Sequence, residues 1–120
     1  MKDIELELRK KLDRIVKEKE NKRRIYLLKE NEKTIGRCFK ENLMGKNTFT
    51  LIKILGVNKK FPYQLSVDML YVGIYKRSLH VSREKLHNRF IDFSRVQLIS
   101  NSEYERYAKM VEKSLKTFDL

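Results

Sequence analysis

Among 120 residues the chain has one cysteine, one proline, four glycines and no tryptophan. Each scarcity closes off a class of protein. A lone Cys38 cannot form an intramolecular disulfide or supply a cysteine-rich zinc site, and it suits a reducing compartment. The four glycines form neither the GxGxxG turn of a dinucleotide site nor the GxxxxGK[ST] loop that cradles phosphates. No serine sits in a GxSxG elbow. No apolar run approaches the ~20 residues needed to cross a bilayer. The N-terminal stretch lacks the apolar segment of a secretory signal. The expected location is therefore cytoplasmic, with no membrane partner. Negative charge is scarce too: 16 Asp and Glu accompany 28 Lys and Arg, a net charge of +12. Such a surplus repels itself in a compact state and favours anionic partners.

What is present supports one small domain and a protruding element. The hydrophobic fraction of 41% is ordinary for a globular chain, and a chain of this length can hide roughly two-thirds of its unfolded surface. Residues 2 to about 30 contain no Gly or Pro and are rich in Glu, Lys, Leu and Arg, which is strong helix composition. Ile4, Leu8, Leu12 and Ile15, with Val16, form one apolar stripe at helical spacing. Five i,i+4 pairs, from Glu5 with Arg9 to Glu20 with Arg24, place the acid toward the N-terminus, the better orientation. The stretch from Arg9 to Arg24 carries nine cations and three acids. Between Val16 and Ile25 it has no apolar residue. The helix must either continue through solvent there or break near Asn21. Its first turns are expected to pack on the remaining domain or to dimerise.

From Thr34 the texture turns to β-branched and aromatic residues. Residues 34–40 and 48–55 read as two antiparallel strands, with 41–47 as the turn between them. Residues 56–62 form a further turn with a basic pair. Leu65, Val67, Met69 and Tyr71 alternate with period two. Strand character continues to Val81 past an expected bend at Gly73. Residues 82–89 read as a loop or one helical turn, and 94–99 as a last strand. Ser100 and Glu103 have capping-box spacing. Tyr104, Tyr107, Ala108, Val111 and Leu115 then define an amphipathic helix over 101–116. The expected fold is α+β: a long N-terminal helix, a small antiparallel sheet or open barrel of four to six strands, and a C-terminal amphipathic helix. The expected division is a basic helical arm at 1–33 and a barrel-like domain with its helix at 34–120.

Chemistry is hard to find. His80 and His87 are the only histidines, with no Cys, Asp or Glu at metal-ligand spacing. Asp68 or Asp92 could join His80 in an acid–base site, though nothing in the spacing requires it. Cys38 lies near Arg37 and Lys40, cations that could lower a thiol pKa; a small apolar strand residue is the simpler reading. No enzyme activity, cofactor or metal is expected.

The basic surface remains. Between Arg37 and Arg95 there are twelve cations and four acids, with Tyr63, Tyr71, Tyr75, Phe90 and Phe93 interleaved. Cations with exposed rings can track a phosphate backbone and stack bases. The residues expected to bind are Lys17, Lys19, Lys22, Arg23 and Arg24 on the helix. Lys59 and Lys60 join them from the turn, and Tyr75, Lys76, Arg77, Arg83, Lys85 and Arg89 from the later strands.

Several local patterns resemble a group of small proteins encoded by bacteriophages and integrated elements. Gly36, Phe39 and Lys40 match a Gly-x-x-Phe/Tyr-Lys first strand. Asn42 matches the Asn of the turn, and Ile52, Lys53 and Ile54 match the end of the second strand. Ile99, Ser100, Glu103 and Tyr104 match the junction into the last helix. The chain departs at Leu43 and Met44, where an aromatic often follows the Asn, and in its long basic N-terminal helix. The resemblance implies a small barrel of mobile-element origin. It raises inhibition of host defences, as by anti-CRISPR proteins that occupy a nucleic-acid channel or clamp a nuclease domain. The partners expected are thus nucleic acid or a nucleic-acid-binding nuclease complex, with a homodimer through the N-terminal helix as a further option.

Overall fold

The structure, a computed structural model, describes residues 2–43 and 47–118. Its elements are α1 (Lys2–Glu32), β1 (Cys38–Asn42), β2 (Thr48–Val57), β3 (Leu65–Tyr75), β4 (Ser78–Arg89), β5 (Gln97–Ile99) and α2 (Asn101–Phe118). The architecture is α+β, with five antiparallel strands in the order β4-β3-β2-β1-β5. The sheet is open, with β4 and β5 at its edges. It is strongly curled, because Arg89 of β4 reaches Glu41 of β1 at 3.7 Å although two strands lie between them.

Alternation along the strands gives each sheet face its own core. One face holds Cys38, Leu51, Leu70 and Val72, and α2 lays Tyr104, Ala108 and Val111 on them. The other holds Phe39, Ile52, Ile54, Leu65 and Val67. The connection from β4 to β5 crosses that face and covers it with Ile91, Phe93 and Val96. Ser100 caps α2: its hydroxyl accepts from the Glu103 N–H at 3.2 Å. The expected capping position is thus occupied as the spacing required.

Several expectations change. The first strand begins at Cys38, not Thr34, because 33–36 turns sharply out of α1 and ends with Gly36 at φ 84°. Gly73 is no bend. It stays in β3, paired with Thr48 and His80, and a Cβ there would meet the Tyr71 hydroxyl at 2.9 Å. The reversal comes at Lys76 and Arg77, with φ of 49° and 65°. Both lie in the left-handed region that a two-residue hairpin turn of this hand demands. Residues 82–89 are strand, not loop or helical turn: they pair with β3, and as an edge strand they can be polar. The last strand shrinks to Gln97–Ile99, since Asp92 accepts from the Ser94 N–H at 3.1 Å and its hydroxyl at 2.5 Å, closing a turn. The middle of the expected 41–47 turn lies outside the described residues.

At α1 the structure decides between continuation through solvent and a break near Asn21 in favour of continuation. α1 is one unbroken helix of 31 residues, about 46 Å long at 1.5 Å per residue. Residues 3–26 are all exposed. The molecule accordingly measures 75 × 27 × 27 Å with a radius of gyration of 20.9 Å, against about 14 Å for a compact chain of this length. The expectation that the first turns pack on the domain is overturned. Only the last turns dock, through half-buried Leu27 and Leu28 and buried Asn31.

Candidate nucleic-acid interface

The root of the arm is where separated cations meet. Asn31 anchors it: its Nδ2 donates to the Pro62 carbonyl at 2.7 Å in a buried contact. The turn between β2 and β3 is itself fixed by Asn58, whose Oδ1 accepts from the N–H groups of Lys60 at 2.9 Å and Phe61 at 3.0 Å. This side-chain turn orients Lys59, Lys60 and Phe61 against the helix. Arg24 bridges the two elements, donating to the Lys59 carbonyl at 3.4 Å and to Asn21 Oδ1 at 2.9 Å.

Between them lies an open groove of about 380 Å³. Leu27, Phe61, Pro62 and Tyr63 line it, with Arg23, Arg24, Lys60 and Glu20 around them. The Phe61 and Tyr63 rings are tilted at 55° with centroids 6.0 Å apart, and both are exposed. The Lys60 ammonium sits 5.6 Å from the Phe61 ring centre. Aromatic faces rimmed by cations can stack a base and hold its phosphates. Of these residues sequence reasoning named Arg23, Arg24 and Lys60 but not Leu27, Phe61 or Pro62; Lys59, also named, adjoins the groove through its carbonyl. The signal was available in Lys59-Lys60-Phe61-Pro62-Tyr63, two cations followed by two rings around the only proline.

The other expected residues do not join this groove. Lys17, Lys19 and Lys22 lie further out along the exposed arm. Tyr75, Lys76 and Arg77 form the exposed hairpin tip, with the Lys76 ammonium 5.5 Å from the Tyr75 ring centre. The tip lies at the far end of β3 from the arm root. β3 has eleven residues, or about 35 Å at ~3.3 Å each. Lys85 is exposed on β4, opposite Asp68.

Arg83 is already engaged. Its Nε donates to Asp68 Oδ1 at 3.1 Å and its Nη2 to Asp68 Oδ2 at 2.6 Å, a bidentate pair, while Nη1 reaches Glu112 of α2. The hydrogen bond to Asp68 holds its guanidinium above the usual arginine range. Arg83 is thus a latch between sheet and helix rather than a free phosphate contact. Arg89 pairs with Glu41 and lines a second hollow of about 370 Å³ with Phe90, Ile91, Asp92 and Arg95.

The acid–base alternative loses its geometry. Asp68 is buried and committed to Arg83, and it lies opposite Lys85, whereas His80 lies opposite Gly73. Asp92 serves its own turn, and the hydrogen bonds from Ser94 draw its pKa down. Cys38 is buried, its Sγ 3.3 Å from Asn101 Oδ1, and desolvation raises its pKa, so the thiol is not activated. Among the described residues no group of three or more His, Cys, Asp or Glu could hold a metal, and no helix is long and apolar enough to cross a membrane. No protein-family model matches the chain, and comparisons with curated proteins and with solved structures find no match.

Proposed function

We propose that the protein binds nucleic acid, free or within a nucleoprotein complex, without catalysing a reaction, and that the groove at the arm root is its contact centre. The observation that carries this is the convergence of Arg23 and Arg24 from α1 with Lys60 from the β2–β3 turn around exposed Phe61 and Tyr63, with Lys59 held beside them through its carbonyl. The net charge of +12 supplies the long-range attraction. Stacking rings at the centre favour single strands, whose bases are free to reach them.

The test is fluorescence anisotropy with single-stranded and duplex oligonucleotides across a salt series. Binding should weaken steeply with salt. Changing Arg23, Arg24, Lys59 and Lys60 together to Gln should flatten the log–log salt slope by about 3, at ~0.7–0.9 per lost phosphate contact. Phe61→Ala should cost about 5- to 150-fold on single strands, the range set by ~1–3 kcal/mol per stacked base, and less on duplex. No binding at about 50 mM salt, where such contacts are strong, would overturn the reading.

A second reading follows from the free arm and the resemblance to mobile-element proteins. A projecting helix with cations and apolar residues suits a groove that normally holds nucleic acid, as in an anti-CRISPR-type inhibitor of an RNA-guided nuclease. It is separated from the first by a purified nuclease of that class: inhibition that persists when Phe61 is changed to Ala, but vanishes when Lys17, Lys19, Lys22, Arg23 and Arg24 become Gln, favours the inhibitor.

A further inference from the structure

The outer arm carries an apolar seam that the chain's own fold leaves bare. Ile4, Leu8, Leu12, Ile15 and Val16 are each about half exposed or more. At 100° per residue they centre about 130° around α1 from the mean direction of the docking residues Leu27, Leu28 and Asn31, with Val16, at the seam's edge, about 20° from Leu27. The centre of the seam therefore faces away from the body. Its steps of four, four and three residues average ~3.67, close to the helix's own period, so a second helix can lie alongside it with little supercoiling.

We propose that the occupant is a second copy of the same arm, running antiparallel. The spacing is self-complementary in that direction. Placing Leu8 level with Leu12 of the second copy sets Ile4 level with its Val16 and Ile15 level with the stem of its Glu5, and the reverse pairs follow by two-fold symmetry. Charge selects the same orientation. The first two turns carry Asp3, Glu5 and Glu7, while the next turns are basic. Antiparallel pairing lays these acids along the basic stretch of the second copy, with Glu7 flanking its Lys11 on both sides of the dyad. Beyond Val16 the seam side of the helix continues as Lys19, Lys22 and Arg23. Parallel pairing would press those cations against their own copies and stack the three acids together. Antiparallel pairing avoids both and leaves Lys22, Arg23 and Arg24 uncovered. The seam is short, which puts the interface below the ~1,200 Å² of a standard stable one and makes pairing concentration-dependent. It uses no residue of the arm-root groove, so it stands or falls apart from the nucleic-acid reading.

Sedimentation velocity on nuclease-treated protein between roughly 1 and 200 μM, a range bracketing the weak affinities expected of interfaces this small, should show a monomer passing to a dimer. Leu8→Glu with Leu12→Glu should raise the dissociation constant at least tenfold, with the folded body intact by thermal melting. Orientation is read by oxidative cross-linking, with buried Cys38 silent. Ile4→Cys mixed with Val16→Cys should give the heterodimeric disulfide. Ile4→Cys alone should give none, because the two sites lie about 18 Å apart along the axis at 1.5 Å per residue. A monomer throughout the range, a dimer indifferent to the two Glu substitutions, or ready Ile4→Cys self-linking would each overturn the proposal.

Discussion

The two helices have similar apolar patterns and opposite fates. In α2, Tyr104 and Val111 are 1% and 0% exposed; in α1, Leu8 and Leu12 are 55% and 60% exposed. Both stripes obey helical periodicity, so periodicity alone cannot tell which one the fold uses. What differs is the sequence between stripe and sheet. A single residue, Ser100, separates α2 from β5, and β5 pairs with β1 directly, so α2 has little freedom but to fold back onto the sheet. In α1 the stripe ends at Val16, and the fully polar stretch from Lys17 to Arg24 separates it from the docking residues Leu27, Leu28 and Asn31. More than two turns of charge act as a spacer, and a helix cannot double back across it.

Matched substitutions should break the symmetry most sharply. Val111→Asp buries an unpaired charge against Cys38, Leu51 and Leu70 and should cost more than about 4 kcal/mol, enough to unfold a marginal domain. Leu12→Asp, the same change on the exposed stripe, should shift stability by less than about 0.5 kcal/mol. Thermal or urea denaturation followed by circular dichroism distinguishes the two, and equal losses would mean that α1 is packed in solution.

Next in size is the latch. Arg83→Ala strands the buried Asp68 carboxylate, whose side chain is only 6% exposed. The expected loss is about 3 kcal/mol, the low end for breaking such a pair because Arg83 itself reaches solvent, seen as a lower urea midpoint.

The seat of α2 should also be visible in alkali. The Tyr104 hydroxyl donates to the Asp68 carbonyl at 3.0 Å, and burial pushes its pKa well above the ordinary tyrosine value. Above pH ~10 the unfolded chain releases this proton while the native state keeps it. Stability should therefore fall with rising pH, by up to about 1.4 kcal/mol per unit from this residue. Tyr104→Phe should flatten the pH dependence of the urea midpoint, while arm substitutions leave it unchanged.

The smallest effect extends the comparison from apolar to charged residues. Arg83 is tied into the fold, whereas Lys76 and Arg77 are held in left-handed backbone at the hairpin tip without the Asn and Gly that such turns favour. Lys76→Asn with Arg77→Gly should relieve about 1–2 kcal/mol of strain and raise the melting temperature. If these cations contact nucleic acid, the same variant binds more weakly although it is more stable, a combination that lost folding cannot produce.

Much of this organisation was legible beforehand. The Ser100 cap, the α2 stripe and the alternation of β3 each follow from local chemistry. Residues 82–89 misled because an edge strand tolerates the polar residues that otherwise mark loops. Gly73 misled because its missing side chain makes room for Tyr71, a tertiary cause invisible in order of residues. Of the site, the arm and turn cations were readable separately. Their meeting was not, since it depends on Asn31 reaching Pro62 across the fold, and Phe61 acquires a role only after that meeting.

The length of the arm has one further consequence. From Asp3 to Lys19 every residue is exposed, and without an amphipathic face packed on the domain a helix draws its stability from propensity and local pairs alone, so its helicity depends on length and temperature. Held only at its last turns, the arm should fray from its free end, with amide protection rising toward the root. Whatever covers its outer turns then supplies order as well as contact. Helicity far from the groove becomes a quantity that occupancy controls, and a probe near Ile4 would report association before any change reached the sheet.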